Sequence, residues 1–421
     1  MLNELTPRQQ RGLTLATTVN IRRKSGMFEV PSQTNSGASY IVAKVTDEFH
    51  CTCPDYELTG RTCKHGFAVQ YLLKLERTDD GTVTETRAVK VTYGQNWPAY
   101  NRSQVVEKEA FCALLRDLVA DVPSPEQKRG RPALPLADML FAACYKVYST
   151  VSGRRFMTDL RDATAKGFIG KTPHYNSIFN VLDNEAITPI LKKLITKSAL
   201  PLKALETEFA VDSTGFGTQN FYRHYTAKYG RDQMRREFVK VHAMVGVKTN
   251  VITSAEVSSS GDSPMLPELV ANTAANFDVQ AVAADKAYSS YMNLEMLDAI
   301  GVKALIPFRA NAVEQREGQP RNEVWARLFH FFHLHREEFL AAYHVRSNVE
   351  STFSAIKRKF SDQIRSKTPV AQTNEALLKV LCHNLVCLIH QMNESGAVAA
   401  FPALMACTKI HTTAQVIEVK A

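Results

Sequence analysis

The sequence predicts an α/β protein in which a mixed sheet flanked by helices follows a helical region and a small N-terminal module of ββα type. Three observations carry this prediction. Three cysteines and a histidine lie together in CTCPDYELTGRTCKH, residues 51–65. Apolar residues at helical spacing dominate residues 103–200. From Glu206 onward, three strand patterns are followed by helix, strand, helix, strand and further helices, which is the order of a mixed sheet covered by helices.

The chain is expected to have four parts. Residues 1–100 hold the cysteine module and a polar linker, and residues 101–205 form the helical region. Residues 206–395 form the sheet domain, and residues 396–421 are a tail. With 421 residues, of which 45% are hydrophobic and 22% charged, the chain has the composition of a globular protein with room for several domains.

Composition also bounds the location and the partners. No run of roughly 18 apolar residues occurs, and the N-terminus MLNELTPRQQRG has no apolar signal core. We therefore expect no membrane span, no secretion and a cytoplasmic location. The formal charge of +9 favours a polyanionic partner.

The clustered cysteines point to a metal. Zinc takes four nitrogen or sulfur ligands at tetrahedral corners, and the cluster offers four, with no open position for a substrate. We therefore predict one structural Zn²⁺ held by Cys51, Cys53, Cys63 and His65. The alternative is a chance group of buried thiols. The other cysteines are scattered through apolar segments, which is unlike a disulfide scaffold.

The segments around these ligands complete the module. Residues 40–45 alternate like a strand, residues 54–60 suggest a polar turn, and residues 64–77 have helical spacing. The order Cys-x-Cys, nine residues, Cys-x-His resembles the SWIM zinc finger over residues 38–78. The resemblance implies a module that binds nucleic acid or protein. Residues 79–100 suggest a linker.

A Pro-rich basic break interrupts the helical region. It lies in PSPEQKRGRPALP, residues 123–135, and its Arg129-Gly130-Arg131-Pro132 core looks like an AT-hook, which inserts arginines into a narrow minor groove. The alternative is a basic linker. The helices that follow could hold a helix-turn-helix reader of DNA or serve as a spacer.

Two aspartates occupy matching places in the predicted sheet. Asp212 lies in the first strand, within TEFAVDST, and Asp285 ends the fourth, within AVAADKAYSS. An acid in an apolar strand costs free energy unless it is paired or binds a metal. A strand-end position facing solvent is the alternative for each aspartate alone.

The segment YHVRSNVESTFSAIKRKF, residues 343–360, suggests a long helix, because no Gly or Pro occurs before Pro369. At 3.6 residues per turn, one face carries four polar residues: Tyr343, Arg346, Glu350 and Lys357. A neighbouring apolar stripe would pack on the sheet: Val349, Phe353, Ile356 and Phe360. The polar face suits phosphate chemistry, and an ordinary solvated helix face is the alternative.

These residues carry a resemblance to DDE transposases of bacterial insertion sequences. The polar face fits Y-x2-R-x3-E-x6-K without a gap, while VDSTGF and ADKAYSS look like the first and second acidic motifs of that family. The resemblance covers residues 205–395 and implies an RNase H-like catalytic domain. It implies that two Mg²⁺ ions are held by Asp212, Asp285 and Glu350. Tyr343, Arg346 and Lys357 would position DNA phosphates or the flanking nucleotide.

The resemblance further implies the reaction and its partners. The enzyme would cut transposon ends and join the 3′-OH to target DNA, as at least a dimer, on the nucleoid of a prokaryotic host. Two alternatives remain: a non-catalytic DNA-binding protein derived from a transposase, and a metal-dependent nuclease. A basic run with interleaved aromatics, residues 221–240, contains Arg235 and Arg236 and is expected to contact DNA, with a solvated hairpin as the alternative.

Overall fold

The computed structural model describes most of the chain, in two compact units. The described residues are 6–19, 21–24, 27–32, 38–45, 48–77, 83–87, 96–127, 129–130, 132–218, 238–315, 318 and 320–402. One unit is Met1–Gly94 and the other is Gln95–Ala421. None of the helices in these ranges is both long and apolar enough to cross a membrane.

The first unit is built on a four-stranded antiparallel sheet. Helix α1 (Pro7–Thr18) precedes four strands in the order β1-β2-β3-β4. These are β1 (Arg22–Lys24), β2 (Met27–Pro31), β3 (Ser39–Val45) and β4 (Glu48–Cys51). Alternate residues of β2 and β4 face inward, including Phe28, Val30, Phe49 and Cys51. The buried alternation gives this small unit its own apolar core.

Two short helices and a hairpin follow the sheet: α2 (Pro54–Thr59), α3 (Lys64–Leu72), β5 (Leu73–Arg77) and β6 (Val83–Arg87). Helix α1 packs on α3 so closely that a Cβ at Gly12 would lie 2.5 Å from Cβ of Phe67. Only glycine fits at that crossing without a shift of the backbone.

Three local predictions in this unit were wrong. The predicted turn at residues 54–60 is a helix, because Pro54 starts it, Asp55 and Glu57 lie in its first turn, and Gly60 ends it with φ of 61°. The helix predicted at residues 64–77 ends at Leu72, where β5 begins. The linker predicted at residues 79–100 contains β6 and the start of the next helix.

The second unit begins with five helices: α4 (Trp97–Val119), α5 (Leu136–Ser149), α6 (Gly153–Ala165), α7 (Tyr175–Leu182) and α8 (Thr188–Ala199). Helix α4 starts six residues before the predicted Ser103, because the Asn96 side chain accepts a hydrogen bond from the Ala99 N–H and Pro98 occupies the first turn. Helix α5 is buried along most of its length and forms part of the main core.

The mixed sheet lies at the centre of the second unit. Its five strands run in the order β11-β10-β7-β8-β9. They are β7 (Glu208–Gly217), β8 (Phe238–Gly246), β9 (Ile252–Val257), β10 (Ala281–Ala284) and β11 (Lys303–Leu305). The first three are antiparallel neighbours, and β10 and β11 run parallel to β7. This confirms the predicted α/β class with a mixed sheet of RNase H-like order.

Further helices complete the described part of the unit: α9 (Leu266–Ala274), α10 (Tyr291–Ala299), α11 (Glu323–Leu334), α12 (Arg336–Tyr343), α13 (Ser347–Phe360) and α14 (Pro369–Glu394). Helix α14 packs against α4, α5 and α8 and against the sheet. The side chain of Asn384 on α14 bonds the N–H and the C=O of Ile252 on β9 at 2.8 and 2.7 Å. The boundary proposed at residue 205 stays a prediction.

The single long helix predicted from Tyr343 is in fact three pieces. Tyr343 ends α12, a 3₁₀ turn spans His344–Arg346, and α13 ends at Phe360. The predicted apolar stripe of α13 is buried as expected: Val349, Phe353, Ile356 and Phe360. The Asn348 side chain donates a 2.7 Å hydrogen bond to the Val247 carbonyl, which anchors the first turn of α13 beside the sheet.

Candidate active site

Asp212 lies in the central strand β7, where it pairs with Ala243 of β8 and directly follows Val211, the last residue of β7 that pairs with β10. Its Oδ1 accepts a hydrogen bond from the Ser213 N–H at 2.8 Å, and its Oδ2 accepts one from Arg346 at 2.9 Å. Burial raises the pKa of Asp212 above its ordinary value, and the nearby charges of Asp285 and Asp262 act in the same direction.

Asp285 reaches the same place through the parallel pairing of β10 with β7. Ala284 is in register with Val211, so the two aspartates follow neighbouring residues of adjacent strands. Asp285 caps the 3₁₀ turn Lys286–Tyr288, and its Oδ1 accepts from the Ala287 N–H at 3.1 Å. Its Oδ2 lies 3.9 Å from the Arg346 guanidinium.

Glu350 joins the aspartates through Arg346, which lies one turn before it. Arg346 Nη1 donates to Glu350 Oε1 at 2.8 Å, while Nη2 contacts both aspartates. The side-chain exposure rises from 19% at Asp212 through 40% at Asp285 to 60% at Glu350. One guanidinium therefore bridges three carboxylates beside the central strands of the sheet, and the glutamate is the most accessible of them.

The donor set fits divalent cations. Three carboxylates offer hard oxygen ligands, which Mg²⁺ prefers. Their combined negative charge is larger in magnitude than the single positive charge of the arginine among them. Among the residues that the structure describes, neither the buried Nε of Arg346 nor the buried hydroxyl of Tyr288 has a hydrogen-bond partner. Burial is the chief cause that raises the pKa of Tyr288, and the acids Asp262, Asp212 and Asp285 add to it.

Comparison with known proteins bears on this arrangement. Residues 203–385 match the family model of the transposase DDE domain. All three acids lie within this DDE match, as do the sheet, α13 and most of α14. No curated protein matches the chain significantly. The match agrees with the predicted resemblance to DDE transposases, whereas the origin from a bacterial insertion sequence and the SWIM resemblance remain predictions.

Solved structures also show similarity to part of the chain, and one of them is a transposase complex. It is the cryo-EM structure of the piggyBac transposase synaptic complex with hairpin DNA, at 10% sequence identity and a TM-score of 0.35. The similarity covers 75% of this chain and 79% of that one.

The other residues predicted to bind DNA have different surroundings. Tyr343 lies beside the carboxylates of Asp212, Asp285 and Glu350, and burial raises its pKa. Lys357 lies two turns beyond Glu350, with its Nζ 5.8 Å from the centre of the Phe216 ring. Arg129 is exposed in the bend before α5. Arg131, Arg235 and Arg236 lie outside the described residues.

The predicted zinc ligands come together in the first unit. The ligand atoms of Cys51, Cys53, Cys63 and His65 are buried and lie within 4.8 Å of one another. The Sγ atoms of Cys51 and Cys63 are each 3.8 Å from His65 Nδ1. A tetrahedral site with metal–ligand bonds of about 2.0–2.3 Å has ligand atoms roughly 3.3–3.8 Å apart, so this group could hold zinc.

The thiols of this group influence one another's ionisation. A hydrogen bond from Cys51 is the largest of the effects that lower the pKa of Cys63 to about 3, and the pKa of Cys51 is correspondingly raised. Burial raises the pKa of Cys53. One thiolate is thus stabilised by its neighbours, and a bound cation would favour the others.

The sequence analysis did not single out a set of polar residues that lie near the candidate site. They are Ser213, Lys240, His242, Asp262, Tyr288 and Asn293. Lys240 and His242 are two residues apart on β8 and therefore face the same side, a signal visible in FVKVHAMVG. Asp262 gave no such signal, because it follows a Ser- and Gly-rich stretch typical of a solvated loop.

Proposed function

We propose that this protein is a DNA transposase that cuts transposon ends and joins the freed 3′-OH to target DNA. One observation carries the proposal: Asp212, Asp285 and Glu350, from three separate elements of a segment that matches the transposase DDE domain, meet around one arginine. Three carboxylates gathered at a sheet edge serve no evident packing purpose, whereas phosphoryl transfer needs such a group.

The proposed roles follow from the chemistry of each side chain. Asp212, Asp285 and Glu350 hold two Mg²⁺ ions, which when bound would activate the attacking oxygen and stabilise the leaving one. Arg346 has a planar guanidinium suited to phosphate oxygens, and Lys357 adds a point charge further along α13. Tyr343 bounds the same surface and orients the flanking nucleotide.

The reaction needs no redox partner. In the first step, water attacks the phosphorus at the transposon end, a P–O bond forms, and the bond to the 3′ oxygen breaks. In the second step, that 3′-OH attacks a target phosphodiester, so one P–O bond again replaces another. The same carboxylates serve both steps because each is an in-line displacement at phosphorus.

DNA binding is proposed to extend beyond this site. The net charge of +9 supports a polyanionic partner. Arg129, Arg131, Arg235 and Arg236 are proposed to contact the duplex, while the zinc-binding module and the helical region grip the terminal repeats. Pairing two transposon ends requires at least a dimer, and the prokaryotic nucleoid is the proposed place of action.

The test uses the element's own ends, taken from DNA that flanks the gene. Wild type and Glu350→Gln are compared with Mg²⁺ and with EDTA, and binding, nicking and joining are scored separately. We expect the wild type to nick and join the ends with Mg²⁺ but not with EDTA. We expect Glu350→Gln to bind the ends but neither to nick nor to join them. Nicking without joining would indicate a nuclease, and binding without nicking by both proteins would indicate a DNA-binding protein derived from a transposase.

A further inference from the structure

Asp262 is a fourth acid, near Asp212. It ends the loop that follows β9, and its side chain is 26% exposed. Its carboxylate lies near the side chain of Ser213, which is the residue next to Asp212 and the register partner of His242 on β8. Lys240 Nζ lies 2.9 Å from the same carboxylate, and Nδ1 of the fully buried His242 lies 3.4 Å from it. Three polar groups from β7 and β8 thus converge on one loop residue.

Ser263, the next residue along the chain, is connected to Asp285 through two other residues. The buried Asn293 amide donates to the Ser263 carbonyl at 3.1 Å and to its hydroxyl at 3.0 Å. The same amide donates to the Tyr288 carbonyl at 2.9 Å. Tyr288 in turn donates its N–H to the Asp285 carbonyl at 2.9 Å, within the turn that Asp285 caps.

These contacts form a continuous path between the two aspartates. It runs from Asp212 to Ser213, through Asp262 and Ser263 of the loop, and through Asn293 and Tyr288 to Asp285. The backbone of β7 and β10 fixes where the two aspartates start, but their side chains lie at or beyond the ends of that pairing. The loop can therefore fix one carboxylate relative to the other, alongside the guanidinium of Arg346 that contacts both.

We propose that Asp262 is a positioning residue for the reaction at Asp212 and Asp285. It holds Ser213, and through it the carboxylate of Asp212, at a set distance from the Asp285 turn. This inference rests on the proposed function for its catalytic consequence. Catalytic groups must be held to within about 0.5 Å, and residues that orient metal ligands change affinity or rate by roughly 10–100-fold when replaced.

A purely structural role would not require this chemistry. The neighbouring loop residues are serines and a glycine, which fill little space, so Asp262 contributes polar contacts rather than apolar packing. Its neighbour His242 is wholly buried. Burial of a polar imidazole costs free energy, and holding a loop in place does not by itself require a polar group there. The cost is accounted for if the group fixes the geometry of the site.

Asp262→Asn is the informative variant, because it keeps the size of the side chain and a carbonyl oxygen while it removes the charge that pairs with Lys240. The matched control is Asp278→Asn, an acid of the same unit whose side chain bonds Gln280 in the stretch before β10. Three quantities are measured on the full-length protein: Mn²⁺ binding by calorimetry without DNA, single-turnover cleavage at saturating end DNA, and the melting temperature.

The expected result is slower cleavage by Asp262→Asn, by roughly 10–100-fold, with weaker Mn²⁺ binding and unchanged end binding. Its melting temperature should match that of Asp278→Asn. Wild-type cleavage and Mn²⁺ binding in Asp262→Asn would overturn the inference, as would a slower rate that tracks a lower melting temperature alone. If the wild type binds Mn²⁺ but cleaves no end, the proposed function fails, and the Mn²⁺ comparison still tests the positioning.

Discussion

At the scale of single residues, Arg346 is the side chain that connects the three acids of the candidate site. Its guanidinium lies within salt-bridge distance of all three acids and offsets part of their mutual repulsion. Because it contacts all three, we expect a cation that binds all three to displace it. We expect the displaced guanidinium to bind a DNA phosphate, which would link metal binding to DNA binding.

Arg346→Gln tests this competition. Without the guanidinium, Mn²⁺ should bind the DNA-free protein about tenfold or more tightly, because an opposing charge is removed from the centre of the acids. Cleavage of end DNA should nevertheless fall, because the phosphate contact is lost. Calorimetry with Mn²⁺ checks the first effect, and weaker Mn²⁺ binding in the variant would contradict the displacement.

His383 provides a second test at residue scale. It is buried on α14, with Nε2 2.9 Å from the Asn250 carbonyl, and burial lowers its pKa from 6.5 to about 4. The unfolded chain therefore binds more protons between these values, so the free energy of unfolding should fall as the pH drops from about 6.5 to 4, by up to about 3 kcal/mol.

His383→Gln should remove this dependence, because glutamine stays neutral and keeps a donor for the carbonyl. Urea unfolding of both proteins across pH 4–7 measures the difference. A parallel loss of stability in the variant would show that His383 is not its cause. Exposed acids elsewhere in the chain contribute equally to both proteins and cancel.

At the scale of elements, the end of α13 is stabilised by a contact with a residue of α14. Lys379 on α14 is 1% exposed, and its Nζ donates to the carbonyls of Phe360, Ser361 and Gln363 at 2.7–2.8 Å. The chain after α13 then pairs with the end of β7, through Gly217 N–H to Asp362 O at 3.0 Å. The sequence has no Gly or Pro there, so no local signal marks the end.

Replacing Lys379 with methionine should lower the free energy of unfolding by about 3 kcal/mol, because it leaves buried carbonyls without a donor. End cleavage should also slow, since the segment holds the helix that carries Glu350. Lys367→Met, at an exposed position, is the control. Equal unfolding midpoints for the two variants would contradict this role of Lys379.

At the scale of the whole molecule, the sequence predicted the sheet and the acids but not the contacts that connect them. The strand order and the three acids follow from local patterns, because strand periodicity and the signature spacing are local. The end of α13 and the place of Asp262 depend on partners far along the chain: Lys379 for the helix, and Ser213 and Lys240 for the acid. No pattern within a short window contains that information.

The two compact units give a prediction of their own. Zinc should be present at one ion per chain, and Cys51→Ser or a chelator should abolish it, because the four ligands stabilise the small first unit. Hydrogen exchange should then increase throughout Met1–Gly94 and remain unchanged in Gln95–Ala421. Unchanged protection of the first unit after zinc removal would contradict a structural zinc.

The joining of a pre-cut transposon end to target DNA tests the central claim most directly, because it isolates the chemistry from end cutting. Asp212→Asn, Asp285→Asn and Glu350→Gln are compared with the wild type and with the control Glu338→Gln on α12. Each of the three variants should lose joining by roughly 10³-fold or more while it still binds the end, and the control should join normally. Wild-type joining by any of the three would contradict a single catalytic centre made of Asp212, Asp285 and Glu350.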